Sequence, residues 1–76
     1  MAWREHIDVN PGVLAGKPVV RGTRLAVEFI VELLAKGWSE DEICRNYPGI
    51  RQEHIRACLA YAHERLSEER IYRARA

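Results

Sequence analysis

The stretch Ser39-Glu40-Asp41-Glu42-Ile43-Cys44-Arg45-Asn46-Tyr47-Pro48-Gly49-Ile50-Arg51-Gln52-Glu53-His54-Ile55 holds two helix starts and one helix stop. Ser39 followed three residues later by Glu42 is a capping box, and the acidic first turn suits the positive end of a helix dipole. Ile43 and Tyr47 fall one turn apart and are expected to face a core, with Cys44 beside them. Pro48-Gly49 stops this short helix. A longer one follows from Arg51 to about Leu66. In it Ile55, Cys58, Leu59, Ala62 and Leu66 keep the three-four spacing of a single buried face. A short capped helix, a tight turn at Tyr47-Pro48-Gly49-Ile50 and a longer amphipathic helix make the outline of a helix-turn-helix.

Upstream, a third helix is expected from Ala26 to Lys36. Glu28, Glu32 and Lys36 form a narrow polar stripe spaced by four, and the remaining residues are almost all apolar. A helix apolar around most of its circumference is buried around most of it. A chain of 76 residues does this poorly alone, because it buries only about 60% of its unfolded surface. This helix, with the segment before it, is therefore expected to help form a homodimer. Gly37 is placed to end it as a C′ glycine.

Residues 1–25 read as an extended arm punctuated by the turn formers Asn10-Pro11-Gly12, Gly16-Lys17-Pro18 and Gly22. Ile7-Asp8-Val9 and Pro18-Val19-Val20-Arg21 are short β-branched pieces that suit one hairpin or two short edge strands. The expected architecture is a single, mainly α domain: the arm (1–25), a trihelical core (26–66) and a C-terminal tail (67–76).

Composition narrows the function. Hydrophobic residues make up 47% and charged residues 30%, which suits a globular chain rather than a disordered one. No apolar run approaches the roughly 18 residues of a membrane span. Met1 to His6 lacks the apolar stretch of a secretory signal, so a cytoplasmic location is expected. The net charge of +1 does not announce nucleic acid, although residues 1–25 and 51–76 carry a basic excess and residues 26–50 an acidic one.

The residues placed to read double-stranded DNA lie where the second helix of the motif begins: Arg51, Gln52, His54 and Arg56. Arg and Gln suit guanine and adenine edges because they form bidentate hydrogen bonds. The alternative is a helical protein-interaction module that never meets DNA. Glu40, Asp41 and Glu42 favour that alternative, since their charge repels phosphate unless that helix end points away. In the arm, Lys17, Arg21 and Arg24 lie close together among glycines. Three uses stand open for them: a DNA backbone contact, a clasp for a dimer or for acidic groups of the same fold, and a small-anion site. Thr23 is expected to stabilise the turn or cap the next helix.

The string Gly16-Lys17-Pro18-Val19-Val20-Arg21-Gly22-Thr23-Arg24-Leu25, preceded by Asn10-Pro11-Gly12, resembles the signature of a prokaryotic family catalogued as domain of unknown function 433, often described as VapB-like antitoxin. Leu33 to Ser39, Glu42-Ile43, Tyr47 to Ile50 and Ile55 to Ala62 are similar to it as well. The resemblance implies a homeodomain-like or winged-helix-like trihelical fold and partnership with a nuclease-like toxin of the PIN superfamily. On it rests the expectation of a DNA-binding antitoxin and autorepressor. The tail residues Arg70, Ile71, Tyr72, Arg73 and Arg75 would then dock to the toxin, their cations covering the carboxylates of its metal site. Arg51 departs from relatives with Ser or Thr at that cap, which implies a helix start weaker by about 1 kcal/mol.

Other chemistry has little footing. There is no phosphate loop, dinucleotide fingerprint or nucleophile elbow, and an enzyme is not expected. His54, Cys58 and Cys44 supply at best three metal ligands in no recognised zinc spacing, so core packing of Cys58 is the expectation. No cofactor is expected.

Overall fold

The computed structural model describes residues 2–10, 12 and 16–68. A 3-10 turn, Trp3–Glu5, leads into strand β1, Ile7–Val9, and strand β2, Pro18–Val20. Three helices follow: α1 (Val27–Ala35), α2 (Glu40–Asn46) and α3 (Gln52–Ser67). The domain is mainly helical, with a short antiparallel hairpin at its N-terminal end, as the residue pattern predicts. The hairpin register pairs Ile7 with Val20, Asp8 with Val19 and Val9 with Pro18.

Local chemistry accounts for each boundary. After β2 the chain reverses through Val20–Thr23, where the Thr23 amide donates to the Val20 carbonyl at 3.0 Å. Gly22 sits at φ +83° in this turn, a conformation costly for residues with a Cβ. The Thr23 hydroxyl donates to the Val20 carbonyl at 2.7 Å and accepts from the Leu25 amide at 3.0 Å, so Thr23 stabilises the turn rather than capping α1. At the end of α1, Gly37 has φ +98°. Its amide donates to the Leu34 carbonyl and the Trp38 amide to the Leu33 carbonyl, each at 3.0 Å, which is a Schellman stop. The α2 capping box is complete: Ser39 Oγ accepts from the Glu42 amide at 3.1 Å, and the Glu42 carboxylate accepts from the Ser39 amide at 2.8 Å.

The core joins Ile7 and Val20 of the hairpin, Val27, Ile30 and Leu33 of α1, Ile43 of α2, Ile50 of the α2–α3 turn, and Ile55, Ala57 and Cys58 of α3. Cys44 and Tyr47 are half-buried against it. α1 buries only its Val27–Ile30–Leu33 stripe; Phe29, Val31 and Leu34 are half-buried and Ala35 is exposed. On α3 the expected face needs correction. Leu59 is 42% exposed and Leu66 64% exposed, while Ala57 is fully buried. The cause is the N-terminal turn: Trp3 packs edge-on against Tyr61 at 4.8 Å between ring centres, and its indole N–H donates to Glu64 at 2.6 Å. Packing on that flank rotates the buried arc of α3 toward Ala57 and Tyr61 and turns Leu59 and Leu66 outward. The helix also runs one residue past the expected end, to Ser67.

Two substitutions check this arrangement by thermal and chemical denaturation. Ile43→Ala empties a site with no solvent exposure and is expected to cost about 2–5 kcal/mol. Ser39→Ala removes only the cap and is expected to cost about 1 kcal/mol. Equal costs would contradict the placement of Ile43 in the core.

Candidate functional site

The start of α3 is fixed by its neighbours on both sides. Tyr47, the residue before Pro48, leaves the helical region at φ −129° and ψ 85°, and the Ile50 amide closes the turn onto the Tyr47 carbonyl at 2.8 Å. Burial of Ile50 anchors this turn to the core. The arm touches it from outside: a Cβ built on Gly49 would lie 3.4 Å from the Thr23 methyl. The turn bearing Arg24 therefore sits against the turn that launches α3.

Arg51 is the N-cap of α3, and its guanidinium has no acceptor atom with which to cap an amide. The cap is supplied from the other direction, by His54. Its Nδ1 accepts the Arg51 backbone N–H at 2.9 Å. This is the half of a capping box usually taken by Glu or Gln at the third helical position. His54 is half-buried rather than free in solvent, and its ring meets His6 edge-on at 5.2 Å between centres. Burial lowers its pKa from the usual 6.5. The charges of His6 and Arg51 lower it further, against the opposing pull of Glu53. His54 is thus a neutral acceptor at neutral pH.

Of the other residues expected at the reading face, Gln52 and Arg56 lie one turn apart on an exposed side of α3, and Arg51 is exposed at its start. Arg24, Arg51 and Arg56 make no ion pair among the described residues. The remaining arm cations have partners within the chain. Lys17 Nζ lies 3.3 Å from Glu28, and Arg21 Nε lies 2.9 Å from Asp8 with its Nη2 donating to the Arg4 carbonyl at 3.0 Å. For Lys17 and Arg21 the structure displays the internal clasp among the three uses left open. Acid also reaches the start of α3: Asp41 Oδ1 is 3.5 Å from Gln52 Nε2, a long and weak contact. Glu42 is held in the α2 cap, and the Ser39 amide and hydroxyl keep its carboxyl below the usual range. Cys58 is fully buried, and burial pushes its thiol up to about 12, so it is a packed core group and a poor metal ligand. The tail residues Arg70, Ile71, Tyr72, Arg73 and Arg75 lie outside the described residues.

The sequence reading missed the cap supplied by His54 and the clamp made by Trp3, Tyr61 and Glu64. Histidine three residues after a helix start was the available signal for the first. For the second it was a lone Trp in an otherwise polar N-terminal segment.

A family model described as protein of unknown function (DUF433) matches residues 7–62. A curated relative, "Uncharacterized protein y4eO" of Sinorhizobium fredii, is 38% identical over 61 residues, covering 80% of this chain. The crystal structure of a DUF433 member protein from Anabaena variabilis superposes with a TM-score of 0.75 at 31% identity over 82% of this chain. The chain spans 28% of the length of the first and 61% of that of the second.

The His54 cap gives a pH dependence of known sign. As pH falls through 6.5 the unfolded chain takes up the proton first, so stability present above pH 6.5 is lost as pH falls through the lower folded value. His54→Gln keeps an acceptor and is expected to flatten that slope. His54→Ala is expected to cost about 1 kcal/mol at neutral pH. Denaturation of the three proteins between pH 5 and 8 reads both effects. An unchanged slope in His54→Gln would remove His54 as its source.

Proposed function

The chain belongs to the DUF433 family, and on that premise we propose that it is a non-enzymatic, cytoplasmic DNA-binding antitoxin that represses its own promoter and pairs with a PIN-like nuclease toxin. The observation that carries the reading is the exposed start of α3. There Arg51, Gln52 and Arg56 stand at the start of a helix whose preceding turn is anchored by the buried Ile50, with Arg24 on the neighbouring turn. Gln52 and Arg56 suit base edges in the major groove, and Arg24 and Arg51 suit phosphates. Lys17 and Arg21 assist by exchanging Glu28 and Asp8 for phosphate, a modest cost because exposed ion pairs contribute about 0–1 kcal/mol. Arg70, Ile71, Tyr72, Arg73 and Arg75 dock to the toxin. As a homodimer the protein presents two such helices to half-sites of one operator.

A second reading is a helical protein-interaction module with no DNA binding. Asp41 beside Gln52 favours it, because a carboxylate there opposes phosphate.

A mobility-shift titration against DNA from the protein's own promoter, at low and moderate salt and with a scrambled duplex, separates the two. The antitoxin reading predicts specific binding that weakens steeply with salt. Arg56→Ala and Gln52→Ala should each lose about 1–3 kcal/mol of discrimination. Arg24→Ala should weaken both duplexes alike, and Asp41→Asn should tighten binding. Equal affinity for the scrambled duplex, or none for either, leaves the interaction module. Deletion of residues 67–76 should abolish toxin binding while preserving the fold; unchanged toxin affinity would remove the tail from that role.

A further inference from the structure

The large hydrophobic side chains that stay exposed among the described residues are Val9, Leu59 and Leu66, and of these Leu66 lines a groove. A groove of about 360 Å³ opens between α1 and α3, lined by Pro18, Val27, Val31, Tyr61, Ala62 and Leu66. Leu59 stands three residues before Ala62 and seven before Leu66, on the same stripe of α3. Val9, 58% exposed, is the cross-strand partner of Pro18, and the side chains of such a pair share a face of the sheet. The core thus runs out to solvent here as an apolar strip through Val27, Val31, Ala62 and Leu66.

The charges on its rim indicate what covers it. Glu28 stands on the α1 wall and Arg65 on the α3 wall. Each has an exposed partner on its own side: Lys17 at 3.3 Å from Glu28, and Glu68 at 3.6 Å from Arg65. Such pairs are weak and exchange readily. An acid and a base on opposite walls of an apolar strip form a self-complementary pattern: a two-fold rotation lays the Arg65 of each copy over the Glu28 of the other. We propose that a second copy of this chain docks on this groove, face to face about a two-fold axis, with Leu66 and Val31 in the apolar centre and reciprocal Glu28–Arg65 pairs at the rim. A domain of this length gains from such burial. The interface uses the C-terminal half of α3 and leaves its start free. It does not rest on the DNA reading, since it is measured with no DNA present.

Sedimentation equilibrium of the full chain, from low micromolar to millimolar concentration, tests it. The wild type is expected to dimerise. Leu66→Glu should weaken the dimer by at least about tenfold with helix content unchanged by circular dichroism, because Leu66 is exposed in the single chain. Glu28→Arg and Arg65→Glu should each weaken self-association, since each sets like charges opposite one another at both rim contacts. Mixing those two variants should restore dimers, because every rim contact in the mixed pair is again of opposite sign. A wild type that stays monomeric overturns the proposal and leaves the strip to residues 69–76 of the same chain or to an unrelated protein. A dimer indifferent to Leu66→Glu, or a mixture of the two charge variants that fails to associate, also overturns it.

Discussion

Five side chains, Val20, Ile30, Ile43, Ile50 and Ile55, meet at the centre of this domain, and each is almost completely shut from solvent. They come from five consecutive pieces of the fold: β2, α1, α2, the α2–α3 turn and α3. In so short a chain no second layer stands behind them. The position of every surface feature is therefore a consequence of how these β-branched groups interlock. Ile50 matters most for the candidate site. A turn residue is ordinarily solvated, and its burial ties the launch point of α3 to the core. Arg51, Gln52 and Arg56 consequently project from a held backbone, and the Thr23 methyl closes on Gly49 from the arm side.

Much of this was legible in residue order because the decisive signals are local. Ser39 with Glu42, Gly37 after an apolar run, and Pro48-Gly49 each act within one helical turn of themselves, so helix ends and the helix-turn-helix outline could be read directly. The hairpin was legible from its β-branched pieces and flanking turn formers. What escaped was set by contacts distant along the chain. Trp3 reaches Tyr61 and Glu64 nearly the full length of the domain away, and this contact decides which flank of α3 is covered. Periodicity alone therefore put Leu59 and Leu66 inside. The expected lack of a side-chain acceptor at Arg51 stands, while His54 satisfies a different group, the Arg51 amide itself, from within the helix.

The electrostatics divide the candidate site cations into two groups. Lys17 and Arg21 pair with Glu28 of α1 and Asp8 of β1 through exposed contacts. Arg24, Arg51 and Arg56 carry no such obligation and gather around the start of α3. Asp41 intrudes on that group from α2, its carboxylate 3.5 Å from the Gln52 side-chain amide. Toward the end of α3, Leu66 lines an apolar groove against α1 while His63, Glu64 and Arg65 are exposed beside it. One helix thus carries an exposed polar start and an apolar groove toward its end. A DNA contact at the first and a second copy at the other do not compete for space.

The most direct measurement is an NMR titration of the isotopically labelled full chain with promoter duplex at low salt, following backbone amides residue by residue. The proposed function predicts shifts concentrated at Arg24 and from Arg51 to Arg56, with Val31, Ala62 and Leu66 unmoved at constant oligomeric state. Shifts confined to the groove between α1 and α3, or no shifts at all, would contradict the assignment of the α3 start as the DNA-reading face.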